Sequence, residues 1–283
     1  MRPAPLVPYL TALCLATMTV VALDAALASW PATVARPEGG TASATSTPGS
    51  TPGSAPGSTP ESTPPEPRSV DTPPLAALRS AADLPPGRPF PQHGTGTWRV
   101  VPPPSAAGGT GFAYTVEVED GVALPNGDDA FAAVVDHALR HPRGWSVRYA
   151  FRRVGGDVEP DLRIRLTSQQ TARALCGFEM PFDTSCRVGS TVHLNTARWF
   201  RGAHTYDGDL RDYQVYAVNH EVGHFLGFGH EVCPVDGGPA PLMMQQTLST
   251  DNDELAAITA GSDQGVVVVP DGKACEPNPW PSW

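Results

Sequence analysis

Three histidines, one carboxylate and a glycine stand at fixed offsets in the run His220-Glu221-Val222-Gly223-His224-Phe225-Leu226-Gly227-Phe228-Gly229-His230. His220 and His224 are four residues apart, so on a helix both rings lie on one face, about one turn from each other. Two neutral imidazoles at that spacing can share a zinc ion. Glu221, beside the first ligand, points next to the metal, where it can take a proton from a zinc-activated water. His230 comes six residues after His224. On a continuous helix it would be rotated by about 240° off the ligand face. It joins the same ion only if the helix stops and the chain turns back. Gly227 stands where that turn is required, and glycine enters positive φ without steric penalty. Three protein ligands leave one tetrahedral position open, the mark of a catalytic site and not of a closed structural one. A bare HExxH arises by accident; all five residues together do so in about one chain in 10⁵.

At these residues the chain resembles the metzincin superfamily of zinc peptidases, whose signature is H-E-x-x-H-x-x-G-x-x-H followed by a Met-turn. A matching turn exists in Ala240-Pro241-Leu242-Met243-Met244-Gln245. Leu242-Met243 is similar to the Leu-Met pair of matrixins, so the resemblance points to Met243 as the Met-turn residue, a hydrophobic floor under the metal that does not bond to it. Gly227-Phe228-x-His230-Glu231 is similar to the astacin variant. The tyrosine that follows the astacin Met-turn is missing, and so is the matrixin cysteine switch. From about Trp98 to the terminal Cys275-Glu276-Pro277-Asn278-Pro279-Trp280-Pro281 the chain also resembles an actinobacterial family of exported metzincin-like proteins without an established substrate. The resemblance implies an α/β (α+β) zincin domain: a twisted mixed sheet, two to three helices including the zinc-binding one, and a small irregular C-terminal subdomain. It also implies a monomer acting on a protein or peptide substrate in extended conformation.

The elements that must position this constellation begin near Trp98. Trp98–Val101 and Phe112–Val118 suit strands. Asp128 suits the cap of a helix with Phe131, Val134, Val135, Ala138 and Leu139 on one face, ending before Pro142. Trp145, Val147, Tyr149 and Phe151 alternate as a half-buried strand, and Leu162, Ile164 and Leu166 as another. A helix over 168–175, a loop, and a strand at Thr191–Leu194 follow. By resemblance, the strand at 190–195 is the sheet edge that pairs with substrate. The zinc helix starts near Asp209 or Asp212. Tyr213, Tyr216 and Ala217 serve as its packing residues, and His137, His141, His193, His204 and Tyr206 stay outside the site. Residues 251–260 suit a helix, and Val266–Val269 a short strand or an insertion.

The first third of the chain differs in kind. Leu6 to Leu23 is almost wholly apolar, with Arg2 before it and Ala26-Leu27-Ala28 fitting a cleavage site. The run suits either a cleaved signal or an uncleaved N-terminal membrane anchor, and the stalk after it favours the anchor. Cys14 lies deep in the run and is no lipoprotein cysteine. Thr47-Pro48-Gly49-Ser50 recurs once unchanged and twice in altered form within 39–67, where nothing can bury a core. Leu75–Leu84 suits a short helix. The organisation read from composition is a targeting segment at 1–28, a Pro/Ser/Thr/Gly-rich stalk at 29–91 and a globular domain at 92–283, which the resemblance makes a metzincin-like zinc metallopeptidase domain. Either reading of the first segment makes the domain extracytoplasmic. With 283 residues, a net charge of −10 and a pI near 5.2, nucleic acid is excluded as a partner.

Outside that segment four cysteines remain: Cys176, Cys186, Cys233 and Cys275. An even number in an exported domain implies two disulfides with three possible connectivities. The pairing adopted is Cys176 with Cys186 and Cys233 with Cys275; Cys233 as a zinc ligand is disfavoured because His230 already completes the set. The function expected is that of a zinc metallopeptidase with one Zn²⁺ on His220, His224 and His230 and Glu221 as general base. Two other classes fit the same location: a surface binding module with structural or vestigial zinc, and a zinc hydrolase of cell-wall peptide cross-links.

Overall fold

The computed structural model describes residues 80–104, 109–177, 180–263 and 265–282. The apolar run at 6–23, the repeats at 39–67 and most of 75–84 lie outside them. Its centre is the strand β2 (Phe112–Glu119). Tyr114, Val116 and Val118 of β2 stand in parallel register with Leu162, Ile164 and Leu166 of β4 (Leu162–Thr167). Ile164 and Leu166 in turn face Val192 and Leu194 of β6 (Thr191–Asn195). Side chains alternate across a strand, so these residues share one face. That face packs against Phe131, Val135 and Leu139 of α1 (Gly127–Arg140) and Tyr216, Val218 and Val222 of α4 (Leu210–Phe225) in one apolar core.

The sheet is mixed, as expected of an α+β fold. β1 (Trp98–Val100) runs antiparallel to β2, and β3 (Phe151–Arg153) parallel to its start. β5 (Cys186–Val188) runs antiparallel to β6, giving the order β1-β2-β4-β6-β5 with β3 beside β2. The face away from the helices is polar yet buried. Glu117 accepts from Arg163 (3.1 Å) and Arg165 (2.8 Å), and Arg165 lies over the Trp98 ring. The remaining helices are short: α2 (Gln169–Cys176), α3 (Thr196–Arg201) and α5 (Asn252–Thr259). The five helices among the described residues exceed the two to three that resemblance implied, and α3 has no counterpart in the sequence reading.

Four expectations are corrected. The strand at 190–195 is not the sheet edge, because β5 covers it and forms the edge itself. β5 is three residues long, too short to show alternation, and a tight turn through Gly189 (φ 59°) joins it to β6. The alternating run from Trp145 to Phe151 is not one strand. Trp145–Val147 forms a 3-10 turn, and only Phe151 enters the sheet. The burial of Trp145 decides this: its indole N–H donates to the Asn219 carbonyl (2.9 Å) beneath α4, while Val147 is left 55% exposed. Of the two readings of Val266–Val269, the strand is not formed and the insertion is left, with Val267 and Val269 exposed. Lastly, the packed domain begins no later than Ser80, inside the segment read as stalk. The buried Arg198 guanidinium donates to the carbonyls of Ala82 and Asp83, Ala81 N–H donates to Glu254 (2.8 Å), and Thr196 bonds the Pro91 carbonyl (2.6 Å). Composition marks this stretch as irregular, but a buried guanidinium needs carbonyl acceptors, and this segment supplies them. Residues 80–83 form a turn closed by Asp83 N–H to the Ser80 carbonyl (3.0 Å), not a helix.

A second, smaller core gathers Cys233, Met244, Leu248, Leu255 and Cys275 with Ala82, and forms the irregular C-terminal part. The disulfides are Cys176–Cys186 and Cys233–Cys275. Two such bridges fit an oxidising, extracytoplasmic environment. The first spans 10 residues and pins the edge strand to α2; the second spans 42 and closes the C-terminal part. By loop-closure entropy they contribute about 3 and about 4 kcal/mol. Chemical denaturation of the paired Cys→Ser variants should therefore find the Cys233/Cys275 variant less stable than the Cys176/Cys186 variant by about 1 kcal/mol.

Candidate metal centre

Helix α4 is buried nearly all round from Val215 to Gly223, as its lack of a polar face requires. Asp209 caps it, accepting from Asp212 N–H at 3.0 Å. The C-terminus closes in a Schellman turn. Phe228 N–H reaches the Gly223 carbonyl (3.0 Å), Gly227 N–H reaches that of His224 (3.1 Å), and Gly227 holds φ at 94°. The chain reverses here and brings His230 back over the helix. The His230 ring lies 5.5 Å from that of His220 and 4.7 Å from that of His224.

One ring nitrogen from each of His220, His224 and His230 lies within 4.8 Å of the other two. Nε2 of His224 and Nε2 of His230 are 3.1 Å apart, close to the roughly 3.3 Å between two ligand nitrogens in a tetrahedral zinc shell. The tautomers follow from the other nitrogens. Nδ1 of His220 donates to the Leu242 carbonyl and Nδ1 of His224 to that of Phe228, each at 2.9 Å. Both Nε2 lone pairs are thereby directed inward. Burial, then the neighbouring imidazoles, hold His220 well below its usual pKa and bring His224 down to about 4. Both are neutral at pH 7, as ligation demands. The residues brought together are those expected, and they suit a zinc-like cation.

Glu221 is 6% exposed and lines the same cavity, a space of about 330 Å³ between the histidines and β5. Among the described residues its carboxyl makes no hydrogen bond or ion pair. Burial raises its pKa to about 8, and only the charge of Arg187 opposes the shift. A buried carboxyl without a partner, facing a cleft, is the environment of a proton-transfer group.

Met243 stands where the Met-turn was expected. It is 2% exposed and lies against Gly223, where any Cβ would meet its sulfur and approach Trp145 Cζ2 at 2.9 Å. Met244 turns the other way into the second core. Tyr216, expected only to pack, does more: its hydroxyl donates to the Met244 carbonyl, accepts from Gln246 N–H (both 2.8 Å) and lies 3.3 Å from Nδ1 of His220. Gln246 is fully buried. Its side-chain oxygen accepts from Tyr206 O–H and Asn278 N–H, and its nitrogen donates to Pro241 and Asn278 carbonyls. Sequence reasoning missed Tyr216 and Gln246 as supports. The one available signal was that Tyr216 precedes His220 by a helical turn. His204 is exposed, Tyr206 packs behind Tyr216, and His137 and His141 lie beside Trp280. His193 is buried on the polar face of the sheet, edge-on to Trp98.

This α+β domain with a three-histidine centre matches, over residues 84–282, the family described as "Protein of unknown function (DUF3152)", and the chain belongs to that family. No curated protein and no solved structure matches the chain.

The glycines separate two effects. Gly223→Ala should lose about 1–3 kcal/mol through overpacking against Met243. Gly227→Ala, with open space around its Cα, should lose about 1 kcal/mol from backbone strain alone. Denaturant midpoints, with the Met243 methyl resonance as a local probe, distinguish the two.

The metal-free protein should also show a stability maximum. His220 and His224 stay neutral in the fold but gain protons on unfolding below 6.5, so their contribution grows as pH rises to that value. Glu221 acts in the opposite sense, since the fold keeps its proton to about 8 whereas the unfolded chain releases it near 4.5. Above pH 6.5 only the Glu221 effect remains, and stability should decline toward pH 8. Urea titrations with EDTA should find that decline in the parent and not in Glu221→Gln.

Proposed function

We propose that the chain is an extracytoplasmic zinc-dependent metallopeptidase of metzincin type that hydrolyses peptide bonds. The observation that carries this reading is the convergence of three inward-facing imidazoles beside the buried, unpartnered carboxyl of Glu221. His220, His224 and His230 would hold one Zn²⁺. The ion supplies a positive charge that polarises the scissile carbonyl and acidifies water. That charge would also draw the Glu221 carboxyl back toward ionisation, as an adjacent cation does. Glu221 then accepts a proton from the attacking water on a carboxylate oxygen and returns it to the departing amide nitrogen. Met243, packed under Gly223, keeps the helix and the turn at a fixed separation. The Schellman turn at Gly227 and the turn through Met243 support the metzincin reading, because each occupies the place that the signature assigns to it.

The substrate would lie along β5. β5 pairs with β6 on one side, and no strand pairs with its other side among the described residues. That side can therefore accept an extended peptide by strand addition. The apolar run at 6–23 is proposed as a membrane anchor, with the proline-rich segment as its stalk. Among the described residues no helix is long and apolar enough to cross a membrane.

Two substitutions test the assignment. Glu221→Gln preserves shape and removes the proton acceptor; one zinc per chain should remain while peptide cleavage falls by about 10²–10⁴. His224→Ala removes a ligand, and zinc content and activity should fall together. A binding module with structural zinc predicts a glutamine variant that equals the parent in every assay. Cleavage by Glu221→Gln at the parental rate would refute the mechanism.

A further inference from the structure

The cavity facing Glu221 has a second wall, made by β5 and the residues before it: Thr184, Ser185, Cys186 and Arg187. Among the described residues Arg187 is the only arginine or lysine lining that space. Register settles which way it points. Arg187 is paired with Val192 across the antiparallel β5–β6 ladder, and paired residues present their side chains on one face. Val192 is fully buried in the core beneath α4, so Arg187 stands on the helix side, above the cleft. Cys186 and Val188 point to the opposite face. The Cys176–Cys186 bridge anchors the backbone immediately beside it.

Arg187 is exposed, and the one hydrogen bond of its side chain among the described residues runs from Nη1 to the Gly189 carbonyl at 3.1 Å. Among the described residues no carboxylate pairs with it, although the chain carries 29 acidic residues against 19 basic ones. It lines the same space as Glu221 and His224, which places it within reach of whatever occupies the cleft. A guanidinium in such a position offers a planar fork that matches a carboxylate in two hydrogen bonds. A peptide added to the open edge of β5 sends every second side chain to the groove face, about 6.7 Å apart, so one of them falls beside Arg187.

We propose that Arg187 makes this cleft selective for peptides that carry an Asp or Glu side chain at the position lying beside β5 on its groove face. The acidic group completes the hydrogen bonding of the guanidinium, and a neutral side chain at that position does not. The consequence for cleavage rests on the metallopeptidase reading; the binding preference rests on the geometry of β5 alone.

The experiment uses the zinc-loaded full chain and fluorescein-labelled decapeptide pools, randomised except for Glu or Gln fixed at each position in turn. Initial rates below saturation should favour Glu over Gln about tenfold at one position, the scale of one charge-assisted hydrogen bond. Arg187→Gln should bring that ratio to about one, and Arg187→Glu should invert it. Fluorescence anisotropy on the Glu221→Gln background, with and without Arg187→Gln, measures the same ratio in binding. If no pool is cut yet the Glu pool binds tighter through Arg187, the peptidase reading fails and the selectivity stands. A ratio near one in the parent, or a ratio that persists in Arg187→Gln because both pools weaken equally, overturns the proposal. The second outcome would assign Arg187 to the reacting carbonyl instead.

Discussion

Three consecutive carbonyls hold this domain together. Leu242 accepts from the His220 ring, Met243 from Glu231 N–H and Met244 from the Tyr216 hydroxyl. One turn of chain thus orients the first histidine, anchors the segment that follows the third, and fastens the middle of α4. None of these carbonyls could be buried without a donor, so the turn and the helix are mutually required. Gln246 then ties the turn to Asn278, and Asn219 ties α4 to the Pro279 carbonyl. The C-terminal segment is therefore part of the scaffold under the site, although it contributes nothing to the cleft.

The same arrangement sets the electrostatics. α4 is buried because the sheet covers one side and the turn another, and burial suppresses the charged forms of His220 and Glu221 alike. For the histidines this favours the neutral ligands that a cation requires. For Glu221 it leaves a carboxyl whose ionisation awaits a positive neighbour. A cation held by the three histidines would relieve the tension that the fold creates and would thereby couple its binding to stability. Arg187 stands across the cleft, and its charge acts on Glu221 and His224.

The sheet divides its labour by face. One face is apolar and carries α1 and α4; the other buries Glu117 between two arginines and sets His193 against Trp98. A parallel centre covered on both sides is the usual condition of such strands. The departure is at the edge, where β5 is short, antiparallel and secured by a disulfide to α2. A short, covalently secured edge resists pairing with other copies, and its outer side pairs with no strand among the described residues.

Much of this was legible in the residues themselves. The offsets from His220 to His230 specify a helix, a glycine stop and a return, because helical periodicity and the steric freedom of glycine leave no other route to three converging rings. The long strands and α1 were legible for the same reason: alternation and the 3.6-residue period report which face is buried. The cysteine pairs agree with the adopted connectivity, though spacing left three open. What the tertiary structure alone decided concerns contacts between distant segments. Trp145 leaves its alternating pattern because its indole must reach Asn219. Residues 80–91 join the domain because Arg198 needs carbonyls. β5, three residues long, becomes the edge because β6 is already covered by it, and this places Arg187 over the cleft. Local periodicity carries no record of such partners, since each interaction exists only once two parts of the chain have met.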